Sequence, residues 1–229
     1  MKKDKNKTTK IHNKEDKKKH TILYVILFVL IVGLFVGGYY ITNPSDDVTT
    51  QKDYDIYNGF AFEKIGKYWQ TMIERDGQTY EVPFTIHPLD LIEKNYTYDD
   101  RITEFILRVP HDKLVIAIEP TGGSIPVMAG VNIARITGKF YGLPTSSALY
   151  IPSYRRVEGM NYSAPIIECK ESSINNPVIF LNVNASTEGI YGIDQYPGCV
   201  VLGANATANN KTIVELSDLF VYKILRIME

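Results

Sequence analysis

The stretch KYWQTMIERDGQTYEVPFTI, Lys67 to Ile86, sets the reading of the chain. Asp76-Gly77 divides it in two and is a favoured two-residue hairpin turn, because such turns need positive φ at both central positions. In the second run Tyr80, Val82, Phe84 and Ile86 fall on one face, the period of a half-buried strand. Pro83 lies on the other face, and its missing N–H predicts a strand at the edge of its sheet. Trp69, Ile73, Phe60 and Phe62 are expected to supply the matching apolar layer.

Downstream, LVIAI (Leu114–Ile118) runs into Glu119-Pro-Thr-Gly-Gly-Ser124 and then a helical stretch from Ile125 to Tyr141. Ser124 is placed to cap that helix, with Pro126 in its first turn and Gly142-Leu-Pro144 at its end. Gly130, Ala134 and Gly138 recur every four residues, a smooth stripe suited to packing on a sheet. Pro88–Lys94 reads as one helical turn. Ile102–Val109, Ala148–Ile151, Pro177–Val183, Gly189–Ile193 and Cys199–Leu202 read as strands. A last helix, Thr212–Met228, carries Ile213, Leu216, Leu219, Phe220, Tyr222, Ile224, Leu225 and Met228 on a broad apolar face that should dock on the sheet. The expected fold is one α+β domain over residues 54–229: a mixed, largely antiparallel sheet of about six to eight strands with two main helices.

Upstream the composition changes. Residues 1–20 hold nine Lys against Asp4, Glu15 and Asp16, whereas residues 43–229 carry a net charge of −7. Between them TILYVILFVLIVGLFVGGYYIT (Thr21–Thr42) has no charged residue. As a helix it is roughly 33 Å long, enough to cross a membrane. Lys17, Lys18 and Lys19 flank one end and Asp46 and Asp47 follow the other, so residues 1–20 are expected in the cytoplasm and residues 43–229 outside. Residues 43–53 read as a polar stalk. Cleavage after Gly38 is the rival reading of the apolar run, and it exports the same domain. With 45% hydrophobic and 22% charged residues the chain has a globular composition. The basic residues are not gathered on the folded part, which excludes nucleic acid as a partner.

Two features agree with export. Cys169 and Cys199 form an even pair in the exported part, where a disulfide is favoured over two buried thiols. Asn95, Asn161, Asn184, Asn205 and Asn210 each begin an N-x-[ST] glycosylation signal.

Residues that carry chemistry are few. Only His87 and His111 lie beyond the apolar run. There is no HExxH, GxSxG or SxxK, and the two Cys lack CxxC spacing, so neither metal nor cofactor is expected. Both His sit in loop-like contexts. Gly122, Gly123 and Ser124 lie between a strand and a helix start, where free N–H groups could hold an anion, although Glu119 beside them would repel one. Asp99-Asp100 reads as a solvated turn.

The segments NGFAFEKIGKYWQT (Asn58–Thr71), EVPFTIHP (Glu81–Pro88), AGVNIARITGKFYG (Ala129–Gly142), GCVVLGAN (Gly198–Asn205) and LSDLFVYKILRIM (Leu216–Met228) resemble a family of membrane-anchored, exported proteins from small-genome archaea. The resemblance spans most of residues 57–229. It implies a cell-surface location, a Cys169–Cys199 disulfide and an archaeal lineage, and it supplies no activity and no catalytic residue. The expected function is therefore a membrane-tethered surface domain. It binds a protein or glycan partner or forms part of an envelope assembly, with self-association among the possibilities. A hydrolase or transferase acting on envelope material is the alternative, its site near Gly122–Ser124 or His87.

Overall fold

A computed structural model describes residues 54–151, 162, 164–205 and 211–228. Residues 52–229 form one compact unit. The expected membrane helix Thr21–Thr42 and the stalk lie outside the described residues. Among the described residues no helix is long and apolar enough to cross a membrane.

The chain opens with four antiparallel strands in sequential order: β1 (Tyr54–Tyr57), β2 (Phe60–Ile65), β3 (Tyr68–Arg75) and β4 (Gln78–Phe84). Each connection is two residues long. Asn58-Gly59 and Asp76-Gly77 have positive φ at both positions, and Gly66 has it at the first position of Gly66-Lys67. These are the primed turns whose twist matches that of paired strands. Tyr80, Val82, Phe84 and Ile86 do face inward, with Phe62 and Ile73 opposite them in the core. Pro83 lies on the edge strand, as its missing donor requires.

Three short elements follow: α1 (Pro88–Glu93), β5 (Thr97–Tyr98) and α2 (Arg101–Arg108). Residues 102–108 of the expected strand Ile102–Val109 thus form a helix, with Val109 as its extended cap. Ile102 and Ile106 are buried one turn apart, and Glu104 pairs with Arg108 on the outer side. That i, i+4 spacing outweighs the β-branched composition.

The rest of the chain builds a second sheet. Its strands are β6 (Leu114–Ile118), β7 (Thr145–Leu149), β8 (Val178–Asn182), β9 (Gly189–Gly192) and β10 (Cys199–Gly203), in the order β5-β9-β10-β8-β6-β7. Only the β9–β10 pairing is antiparallel; β5–β9, β10–β8, β8–β6 and β6–β7 are parallel. The single, largely antiparallel sheet expected from sequence is therefore two sheets, one wholly antiparallel and one largely parallel. The cause is visible in LVIAI, VIFLN and CVVLG. These runs are apolar without alternation and are buried on both faces, the character of parallel strands.

Helix α3 (Ser124–Ala134) connects β6 to β7 and continues through Arg135–Phe140 as a π-helical segment. Thr137 Oγ1 donates to the Ile133 carbonyl there, competing with the regular helical ladder. The Gly stripe packs as expected. A Cβ on Gly130 would stand 3.1 Å from Ile118 Cδ1, so the glycine lets α3 lie close to the sheet without displacing that side chain. Gly123, at φ +66°, takes the cap position, and Ser124 is the first helical residue rather than the cap.

Helix α4 (Lys211–Ile224) lies at the centre. Twelve of its fourteen residues are buried, so it is covered on every side rather than along one docked face. Tyr222 stacks on Phe84 of the first sheet at 3.9 Å, and its hydroxyl donates to the Ile86 carbonyl at 2.8 Å. Ile213, Leu216 and Phe220 join the core shared with Leu181, Val200 and Leu202 of the second sheet. A smaller cluster on that sheet's other face contains Val115, Phe180, Val201 and Cys199. There Cys199 is disulfide-bonded to Cys169, with Cα atoms 5.4 Å apart.

Candidate functional site

A concavity follows β4. Along Gln78–Val82 it faces Arg135, Ile136, Lys139 and Phe140, and its volume is about 500 Å³. A second cleft of about 450 Å³ continues past Pro83, Phe84 and Thr85, bounded by Tyr68, Val127, Met128, Val131 and Val214. Arg135 lines both. The two clefts together form a groove between an edge strand and the α3 helix with its π extension. On the helical side Val127, Met128 and Val131 are about half exposed, at 46%, 48% and 54%. Large apolar side chains gathered beside a cleft mark a binding surface more than scattered ones do. Arg135 and Lys139 are exposed one turn apart, and neither forms an ion pair among the described residues.

Asp218 of α4 borders the apolar end of the groove and is completely buried. Its Oδ2 accepts from the Thr85 N–H (2.6 Å), the Thr85 hydroxyl (2.5 Å) and the Ile86 N–H (3.2 Å), and its Oδ1 accepts from Asn132 Nδ2 at 2.8 Å. Burial nevertheless pushes the carboxyl up to about 7, outweighing the donors that favour the charged form. The arrangement is a clasp: one carboxylate joins the end of the first sheet, α3 and α4, and so fixes the width of the groove. The sequence carried a signal for it. Val214, Val221 and Tyr222 stand one turn either side of Asp218, so the acid sits on an apolar helix face. Glu215 is buried on the same helix, accepting from the Tyr96 hydroxyl at 2.6 Å with Lys211 at 3.4 Å.

His87, named in the alternative enzymatic reading, and His111 both make structural contacts. His87 is buried and caps α1, its Nδ1 accepting from the Leu89 N–H at 3.3 Å. Its ring contacts Trp69 at 4.6 Å and Phe62 at 5.2 Å. Burial lowers its pKa, against the opposing pull of Asp55 and Asp90. His111 faces the Ile174 carbonyl with Nδ1 at 2.9 Å and the Phe105 carbonyl with Nε2 at 3.1 Å. Among the described residues neither ring bonds a Ser, Thr or Cys side chain. Among the described residues no group of three or more His, Cys, Asp or Glu is placed to hold a metal.

The loop with Gly122, Gly123 and Ser124 stands at the end of β6 and starts α3. The adjoining Glu119 is buried, its Oε1 accepting from Asn184 Nδ2 at 2.6 Å and the Thr121 hydroxyl at 3.0 Å. A carboxylate therefore sits at the base of the loop. Asp99 holds Arg101 in a two-pronged pair at the start of α2, so this acid organises a turn. Of the glycosylation signals, Asn95 is exposed on a turn. Asn184 is exposed with its amide turned to Glu119, and Asn205 is half-buried. Asn161 and Asn210 lie outside the described residues.

Comparison with protein-family models, curated proteins and solved structures gives no match for the chain.

Proposed function

We propose that this chain is a recognition module of the cell surface, tethered by residues 21–42 and binding a protein partner through the groove between β4 and α3. The observation that carries the reading is the groove itself. It is an apolar cleft of about 450 Å³ bordered by the half-exposed Val127, Met128 and Val131, continuous with a polar cleft of about 500 Å³ carrying Arg135 and Lys139. Pockets with an apolar floor and a few placed charges are the usual form of a binding site. The basic leader, the uncharged run and the even cysteine count support the tethered, exported setting. The domain side of the membrane is then where the partner is met.

The test is photo-cross-linking on living cells. A benzophenone side chain is placed at Val131 in the groove and, separately, at the equally exposed Ile174 far along the chain. A defined adduct from position 131 and none from position 174 supports a groove-specific partner. Equal, diffuse labelling or none at either position removes the groove as the recognition surface.

A further inference from the structure

The backbone of β4 specifies more than a cleft. In a two-residue hairpin the pair closing the turn, Arg75 and Gln78, exchanges hydrogen bonds, and the pattern then alternates. Gln78, Tyr80, Val82 and Phe84 therefore direct their N–H and C=O groups at β3. Thr79, Glu81 and Pro83 direct theirs away from it, over the open edge. Pro83 occupies one of the outward positions, where a missing N–H costs the ladder nothing. The outward N–H and C=O of Thr79 and Glu81, and the C=O of Pro83, have no backbone partner among the described residues.

The helical side of the groove borders the same clefts as this edge. Arg135 and Lys139 are four residues apart in the π-helical segment, both exposed and both lining the cleft along β4. Alternate side chains of an extended chain stand about 6.8 Å apart. Two carboxylates at that spacing in an acid-x-acid peptide lie within reach of these two long, flexible cations. Glu81 is exposed on the opposite pleat of β4, where it repels acids in the alternate set and so fixes which set faces the helix. Beyond Pro83 the groove turns apolar at Val127, Met128 and Val131, which fit an apolar side chain at that end of the same peptide.

We propose that β4 takes up an extended acidic peptide of a partner protein as a fifth strand, with Arg135 and Lys139 binding its alternate carboxylates. Main-chain hydrogen bonds then supply affinity and the alternate side chains supply selectivity, the mode of strand addition at a sheet edge. This inference rests on the groove being the recognition surface and names what the groove recognises.

The probe is a phage-displayed library of random twelve-residue peptides, selected on the full-length chain in detergent. Selected peptides are expected to share acid-x-acid, with an apolar residue towards one end. N-methylation of alternate backbone positions on such a peptide should abolish binding in one set, and in the other leave it within about threefold, because only one set faces β4. Arg135→Glu together with Lys139→Glu should weaken binding by at least about tenfold. Glu81→Pro removes an outward donor while leaving the β3 ladder whole, and a folded Glu81→Pro variant should lose binding. Enrichment of no peptide, loss from both methylation sets alike, or full binding by folded Glu81→Pro overturns strand addition. A groove-specific adduct at position 131 alongside any of these results leaves the recognition surface standing and rejects only its ligand.

Discussion

Asp218 holds four hydrogen bonds in a place water does not reach. With its carboxyl raised from 3.8 to about 7, the folded chain keeps a proton that the unfolded chain gives up near pH 4. The stability this group contributes is complete below about pH 4 and is lost as pH rises through about 7. Asp218→Asn reproduces the protonated acid: its Oδ1 accepts from Thr85 and Ile86, and its amide donates to a flipped Asn132. Urea unfolding should show the native chain losing on the order of 2–4 kcal/mol between pH 4 and 8, relative to Asp218→Asn. His87 titrates in the opposite sense, its share being lost as pH falls below 6.5. Both proteins carry it, so it cancels in the comparison. Parallel pH profiles for the two would mean that Asp218 is ionised in the fold throughout.

At the scale of elements, the disulfide closes a loop of 30 residues between the segment before β8 and the start of β10. Cross-linking a loop of this size stabilises by about 3–4 kcal/mol through the entropy of the unfolded chain. Cys169→Ser with Cys199→Ser should lower the unfolding free energy by that order, with the groove unchanged, since β4 and α3 lie outside the loop. A variant as stable as the native chain under oxidising conditions would contradict this. Local pattern made much of the fold legible. Alternation found β4 and its inward face, Pro83 found the edge, and the small-residue stripe found the packing of α3. The reading went astray where pattern and composition diverge. Residues 102–108 look β-branched but are spaced as a helix. LVIAI, VIFLN and CVVLG have no alternation because both faces are buried, and that absence was itself the mark of a parallel sheet. The groove was half legible: its edge strand was, but its helical wall was not, because a sequence does not show which helix faces which strand.

For the whole molecule, the charge pattern makes the strongest claim. Nine lysines precede an uncharged run, and the folded region is acidic. Protease added to intact cells should therefore remove epitopes within residues 54–229 and spare a tag placed before residue 20. Protection of both, or digestion of both, would overturn the assigned orientation. The two sheets are brought together by α4, and Asn58 Nδ2 donates to the Ile227 carbonyl at 3.0 Å, joining the first hairpin to the segment after α4.

The position of α4 has a consequence for biogenesis. The helix that fills the space between the sheets is made after every strand it covers. During synthesis, neither sheet can shield its inner face until residues 211–224 have been made. The core thus closes late, around its final helix. A stop codon before α4 should leave both sheets with their apolar faces bare, and the truncated chain should be cleared by the cell.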